Sequence, residues 1–285
     1  MTAPVVQLFV HPRAGRRARR RIAGLRSAFE QEGATVIVTA SIRDRLEIDA
    51  RSTHICAVGG DGTLRHVVDA LYRSTRSVPI SVYPAGTVNL LARECGYPRA
   101  PRAFVRRVLD GGARSQHHMA LVGRTPLLTC ASVGPDSFVV EAVSPALKNR
   151  LGRAAYVVAF CKLLIRWRRV PMIVSCGEDH IECEAVYIAK GRFFAGRWAF
   201  APHARTTDPL LHVVVLKRAA RRHFLRFAWA LWRGCPVERL DGVRCFSCAR
   251  LTISGDKSAP LQADGDVVAC LPASVSLAPD TLEFS

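Results

Sequence analysis

Residues 1–110 alternate between short β-rich runs and amphipathic helical patterns, and this alternation limits the folds open to the chain. A run at Val5 to Val10 is followed by a basic helical pattern that ends near Gly33. Further strands are predicted at 34–39 and 54–58, and the latter leads into a second amphipathic helix. Such alternation predicts a parallel α/β sheet, which binds ligands at the carboxyl ends of its strands.

Beyond about Gly112 the sequence changes to many short β-rich runs, which predicts a largely antiparallel second domain. A length of 285 residues also favours two domains. We therefore predict an α/β domain at 1–115 and a β-rich domain at 116–285, whose tail could return to the first domain.

The chain is strongly basic, with 41 Lys and Arg against 23 Asp and Glu, a formal net charge of +18. This charge favours anionic membrane surfaces or polyanions, although a compositional bias would produce it too. The longest apolar run, residues 154–165, contains Lys162 and is shorter than the roughly 20 residues that span a bilayer. We expect a cytoplasmic protein without a membrane-spanning segment.

The sharpest local feature is the glycine-rich segment Val58 to Thr63, Val-Gly-Gly-Asp-Gly-Thr, between a buried strand and an amphipathic helix. Glycines there let the backbone approach a ligand, and the helix amides favour phosphate. The segment matches neither the P-loop nor the dinucleotide-binding pattern, and a plain glycine turn is the alternative. Because a carboxylate repels polyphosphate, Asp61 indicates a metal-bound nucleotide or a proton-transfer role.

A second loop of similar design, Tyr83 to Asn89, follows the next strand. Thr87 and Asn89 could cap the following helix or bind a ligand. Two such loops in adjacent strand–helix units would lie side by side and outline one nucleotide pocket.

A third motif, Asp264-Gly265-Asp266, lies between two alternating β-rich runs. Asp-Gly is a strong hairpin signal, so an ordinary turn explains it. Two carboxylates at this spacing could also supply a base and a metal ligand for phosphoryl transfer.

Together, these three motifs resemble the signature series of the diacylglycerol kinase catalytic-domain family, which includes bacterial lipid kinases and the sphingosine and ceramide kinases. The segments Gly191 to Gly196 and Ala201 to Ala204 resemble its middle motifs. The resemblance implies an N-terminal α/β nucleotide-binding domain, like those of NAD kinase and phosphofructokinase, and a C-terminal β-sandwich-like domain.

The resemblance also implies an ATP-dependent lipid kinase of phospholipid metabolism, which transfers the γ-phosphoryl group to diacylglycerol or a related lipid alcohol. Asp264 would be the general base, with Asp61 as its rival. Mg²⁺ would be held by Asp61 and Asp266. The nucleotide contacts would come from Gly59, Gly60, Asp61, Gly62, Thr63, Gly86, Thr87, Asn89 and His11.

The sequence departs from the family pattern at several positions. His11 replaces the Asn of the family's opening Asn-Pro motif, which puts one nucleotide contact in question. His212 replaces the second acid of a pair that begins at Asp208, and hard cations prefer carboxylate oxygen, so a structural Mg²⁺ there is in doubt. A catalytically weak lipid- or nucleotide-binding member is therefore an alternative.

A lipid kinase must also reach its substrate at a membrane. Leu225, Ala228, Trp229 and Trp232 share one face of a basic helical pattern, which suits either the headgroup layer or a protein core. We expect peripheral association with the inner face of the membrane, a homodimer as an option, and no nucleic-acid partner. A kinase for a soluble substrate and a nucleic-acid-binding protein are the competing hypotheses.

Overall fold

A computed structural model describes residues 3–11, 16–41, 46–74, 76–110, 114–143, 154–165 and 167–285. The chain divides into two units. The first contains Met1–His118 together with Asp280–Ser285, and the second contains Met119–Pro279. The last residues of the chain therefore belong with the first unit.

The first unit is built on a parallel sheet. Its strand order is β2-β1-β3-β4, and every pairing between these strands is parallel. The end of β16 adds to β4, where Phe284 pairs in parallel with Ile80. The strand bounds are β1 Val5–Val10, β2 Thr35–Ala40, β3 His54–Gly59, β4 Ile80–Pro84 and β16 Ala273–Phe284.

Among the described residues of the first unit, helix α1 connects β1 to β2, helix α2 connects β3 to β4, and helices α3 and α4 follow β4. Helix α2 buries Leu64, Val67, Val68 and Leu71, the apolar stripe expected from their spacing. Gly33 follows α1 with a φ of 81°, which terminates that helix as predicted. The helix bounds are α1 Arg16–Gln31, α2 Asp61–Ser74, α3 Leu90–Glu94 and α4 Pro101–Leu109.

The second unit is a β-sandwich. One layer is an antiparallel sheet in the order β12-β11-β10-β7-β14-β15, and the other contains β9, β8 and β13 with the start of β16. Buried residues from both layers form one core, including Ile188 and Val213 from the first and Val174 and Ile253 from the second. The predicted fold class, α/β followed by a β-rich sandwich, is confirmed.

The other strands and helices follow α4 along the chain. The strands are β5 Ser115–Val122, β6 Thr125–Leu127, β7 Cys130–Val133, β8 Met172–Cys176, β9 Asp179–Cys183, β10 Ala185–Ala189, β11 Leu211–Leu216, β12 Val243–Cys248, β13 Arg250–Gly255, β14 Pro260–Ala263 and β15 Asp266–Cys270. The helices are α5 Pro135–Ala142, α6 Ala154–Ile165, α7 Arg221–Arg233 and a 3₁₀ turn at Val237–Arg239. No helix in the described part of the chain is long and apolar enough to cross a bilayer.

Candidate functional site

The candidate site begins at the carboxyl edge of the parallel sheet. Register pairs Gly59 of β3 with Pro84 of β4, so the loops that follow these two strands leave the sheet side by side. Val10 of β1 pairs with Val58 of β3, which places His11 one residue beyond the end of its strand at the same edge. His11 is exposed, while residues 12–15 of its motif lie outside the described residues.

The two glycine loops touch through their backbones. The amides of Ala85 and Gly86 both donate to the carbonyl of Gly59 at 3.1 Å. A Cβ added to Gly86 would lie 2.3 Å from the Cα of Gly60, and one added to Gly59 would lie 2.4 Å from Oγ1 of Thr63. Glycine at 86 is therefore required for the contact between the loops, and glycine at 59 leaves room for the Thr63 side chain of its own loop.

Asn89 shapes the second loop from within. Its φ of 57° is left-handed, a conformation that Asn tolerates, and the residue is buried. Its side-chain oxygen accepts the amide of Gly86 and its nitrogen donates to the carbonyl of Gly86, each at 2.9 Å. The side chain makes no capping bond to α3. Of the two roles expected for Asn89, capping is therefore wrong, and its amide bonds within its own loop.

Asp61 links the two loops from the other side. It is the first residue of α2, where the helix dipole stabilises a carboxylate. Its Oδ1 accepts the amide of Leu91, in the first turn of α3, at 3.2 Å. Asp61, Gly60 and Gly62 are half-buried, while Gly86 and Thr87 are exposed, so the loops present backbone and one carboxylate to a ligand.

Asp264 lies in the second unit, at the tip of the β14–β15 hairpin. The predicted hairpin is confirmed: Ala263 pairs with Asp266, and Asp264 and Gly265 have φ values of 50° and 86°. Positive φ at both central residues is the geometry of a two-residue hairpin turn. The sequence signal for the turn and the buried position of Asp264, which is 7% exposed, are thus compatible.

A clamp of donors holds the Asp264 carboxylate. Oδ1 accepts the amide of Thr129 at 2.8 Å, its hydroxyl at 2.6 Å and the amide of Cys130 at 3.3 Å. Oδ2 accepts the amide of Leu128 at 2.9 Å. Sequence reasoning missed this clamp, because its donors are 134 to 136 residues away along the chain. The clamp fixes the orientation of the carboxylate and leaves Oδ2 with a single donor.

The residues assigned to Mg²⁺ are divided between the units, with Asp61 in the first and Asp266 in the second. Within the described residues, no group of three or more His, Cys, Asp or Glu side chains could hold a metal ion. Mg²⁺ is commonly bound through one or two carboxylates, with water and substrate phosphates completing its shell. A lone carboxylate at Asp61 beside a glycine-rich loop fits that pattern.

A buried cation lies beside Asp208, where the sequence put a structural Mg²⁺ in doubt. Lys190 is fully buried, and its Nζ donates to the carbonyls of Arg205, Thr206 and Asp208 at 3.2, 3.1 and 2.6 Å. His212 has Nδ1 3.0 Å from Oγ of Ser247. Burial lowers the pKa of His212, although Asp208 opposes the shift. The cation that these three carbonyls bind is therefore the Lys190 ammonium.

The sequence matches two family models. Residues 5–121 match the diacylglycerol kinase catalytic domain. Residues 129–285 match the YegS C-terminal domain, described as an NAD kinase beta sandwich-like domain. The two matches together cover both units, and they confirm the family resemblance drawn from the sequence motifs.

Proteins similar to this chain are named as lipid kinases or diacylglycerol kinases. The chain is 35% identical to a protein of Pseudomonas aeruginosa strain UCBPP-PA14 named "Probable lipid kinase YegS-like", over 57% of this chain and 54% of that protein. It is 27% identical to a protein of Mycobacterium tuberculosis named "Diacylglycerol kinase", over 80% of this chain and 75% of that protein. A crystal structure of a diacylglycerol kinase from Bacillus anthracis strain Sterne shares the fold, with a TM-score of 0.73, 17% identity and coverage of 99% and 96%.

Proposed function

Because the chain belongs to the diacylglycerol kinase family, with a diacylglycerol kinase catalytic domain followed by a YegS C-terminal domain, we propose that it is an ATP-dependent lipid kinase. The reaction transfers the γ-phosphoryl group of ATP to the hydroxyl of diacylglycerol or a related lipid alcohol. The observation that carries the proposal is the backbone contact between the glycine loops after β3 and β4. Such a bare backbone surface at a sheet's carboxyl edge suits a nucleotide.

The first unit binds the nucleotide in this proposal. The amides at the start of α2 are the donors for phosphate oxygens, and the exposed glycine loop at Gly86 lets the ligand approach them closely. Asp61 would hold Mg²⁺ together with the triphosphate, and the ion would supply charge neutralisation when bound. The bond from Leu91 to Asp61 keeps the carboxylate oriented toward the loop. His11 lies at the same edge and replaces the family's Asn contact.

Asp264 is the general base in this proposal. It takes the proton of the lipid hydroxyl on Oδ2, the oxygen that has one donor in the structure. The hydroxyl oxygen then forms a bond to the γ-phosphorus as the bond to the β–γ bridging oxygen breaks, and ADP leaves. The clamp of Thr129 and its neighbours holds the base in one orientation, so that little reorganisation accompanies proton transfer.

The decisive experiment is transfer of radiolabelled γ-phosphate by the purified protein to a panel of lipid alcohols in mixed micelles. Labelled lipid is expected with at least one alcohol, and its complete absence would refute the proposal. Label in a water-soluble acceptor from a parallel panel of sugars and NAD would instead support the competing soluble-substrate kinase.

Substitutions separate the two carboxylates. Asp264→Asn should lower kcat about a hundredfold or more, the usual contribution of a general base, with little change in the KM for ATP. Asp61→Asn should chiefly raise the KM for Mg-ATP. The exposed Asp280→Asn serves as the matched control and should leave both constants unchanged. Near-normal turnover in Asp264→Asn with none in Asp61→Asn would assign the base to Asp61.

A further inference from the structure

Helix α7 has two apolar faces, of which the second unit covers only one. Phe224, Phe227, Ala230 and Leu231 are buried, and the ring of Phe227 lies 4.9 Å from that of Tyr187 in β10. The opposite face exposes Leu225 by 46%, Trp229 by 61% and Trp232 by 60%. The core interpretation of this helix therefore accounts for its inner face and leaves the outer face unexplained.

The outer face forms a continuous apolar stripe. Leu225, Trp229 and Trp232 follow the spacing i, i+4, i+7, which aligns them along one side of the helix, and the two indole rings are 4.9 Å apart. Ile165, at the end of α6, is 78% exposed, and its carbonyl accepts Nη2 of Arg221 at the start of α7. Apolar side chains grouped in this way mark an interaction site more often than a chance feature of the surface.

A row of arginines flanks the stripe. Arg222, Arg226 and Arg233 are exposed and follow one another at i, i+4 and i+11, along the side next to the tryptophans. In the described part of the chain none of the three forms an ion pair or a side-chain hydrogen bond. The pKa of His223 is lowered, first by burial and then by the charges of Arg222, Arg218 and Arg226. The stripe is thus edged by uncompensated positive charge.

We propose that the outer face of α7, with Ile165 beside it, is a docking surface for an anionic lipid bilayer. The helix lies parallel to the bilayer plane, with Trp229 and Trp232 among the headgroups and the arginines on lipid phosphates. Because the inner face is already packed on the β-sandwich, docking requires no folding of the helix. The proposal goes beyond the kinase reaction, since it concerns binding that needs neither ATP nor a lipid alcohol.

Charge favours a bilayer over a second copy of the chain. Helix α7 contains four arginines and no acidic residue. A two-fold dimer through this face would bring the arginine rows of both copies into one interface with no acidic partner from either helix, because such interfaces use the same patch on both subunits. An anionic headgroup layer instead offers a phosphate to each guanidinium, which suits bidentate pairing.

The test measures binding of the full chain to sedimented vesicles made of equal parts phosphatidylcholine and phosphatidylglycerol, with pure phosphatidylcholine for comparison. The wild-type protein should bind the anionic vesicles more tightly, and added salt should weaken the binding. The triple change Arg222→Gln, Arg226→Gln, Arg233→Gln should weaken it about a hundredfold, since each basic residue contributes roughly 1 kcal/mol, or about fivefold. Trp229→Ser with Trp232→Ser should weaken binding to both vesicle types at least about tenfold.

A matched charge control removes three exposed arginines elsewhere, by Arg102→Gln, Arg124→Gln and Arg250→Gln. It should retain most of the binding, and circular dichroism should show every variant folded. An equal loss of binding in this control would overturn the proposal, because net charge would then explain the binding. The proposal would also be overturned if the wild-type protein did not bind anionic vesicles. The proposal would be overturned as well if the α7 substitutions converted a dimer to a monomer in light scattering and left vesicle binding unchanged. Turnover of micellar lipid tests the kinase proposal separately.

Discussion

Lys190→Met tests whether the buried ammonium holds the segment that carries its three carbonyl partners. Methionine approximates the length and volume of lysine, so the change removes the charge and the donors while it leaves little cavity. In the native protein Nζ donates to the carbonyls of Arg205, Thr206 and Asp208. After the substitution these acceptors lose that donor in a place where Lys190 itself has no exposed surface.

The expected loss follows from these three bonds. An unsatisfied buried acceptor costs about 1 to 3 kcal/mol, so the low end for three carbonyls is about 3 kcal/mol. Relief of the desolvated ammonium offsets part of this cost, which argues for the low end. For a unit the size of Met119–Pro279, about 3 kcal/mol corresponds to a fall in Tm of roughly 6 to 12 °C.

Tryptophan fluorescence during urea and thermal denaturation is the suitable assay. All four tryptophans of the chain lie between residues 119 and 279, so the signal reports on the second unit. The exposed Lys217→Met is the control and should shift stability by less than about 0.5 kcal/mol. Equal stabilities for the two variants would show that the carbonyls do not depend on the ammonium.

Three further predictions concern the candidate site and its support. Gly86→Ala should force the glycine loops apart and abolish nucleotide binding in calorimetry. The control is Gly24→Ala, in an exposed turn of α1 with room for a methyl group. This change should stabilise the protein by about 0.5 to 1 kcal/mol. Burial first, and then a nearby guanidinium, lowers the pKa of His54 from 6.5 to about 3. Below pH 6.5 the unfolded chain takes up a proton that the native state excludes, so the free energy of unfolding should fall by up to about 1.4 kcal/mol per pH unit as the pH drops toward 3. Urea denaturation at several pH values measures this slope, and His54→Gln should flatten it. Thr129→Val removes a hydroxyl donor from Asp264 and should lower kcat about tenfold with an unchanged KM for ATP; a larger loss in KM than in kcat would contradict a positioning role.

Local sequence patterns predicted the first unit and its loops well. The glycines at 59, 60 and 86 stand where strand patterns end and helix patterns begin, so their position needs no long-range information. The Asp264–Gly265 turn was equally predictable, because Asp-Gly between alternating runs favours a two-residue hairpin. Each of these features depends on residues that are neighbours along the chain.

Contacts between distant residues were beyond such reasoning. Thr129 meets Asp264 across 135 residues, and no local pattern around it indicates a clamp. Lys190 directly follows a fully buried strand, β10, which was the one available hint that its charge is internal. For α7, the sequence left a core helix and an interfacial helix as alternatives, because it carries apolar residues on opposite faces; burial shows which face is covered.

The return of residues 280–285 to the first unit affects how the protein is made. Phe284 adds to β4, and the hydroxyl of Tyr97 donates to the carbonyl of Ser285, 188 residues later in the chain. At a ribosomal rate of 5 to 20 residues per second, about 10 to 40 s separate the synthesis of these two partners. During that interval the edge of β4 is unpaired by its native neighbour, and the nascent chain must avoid strand addition from other polypeptides there.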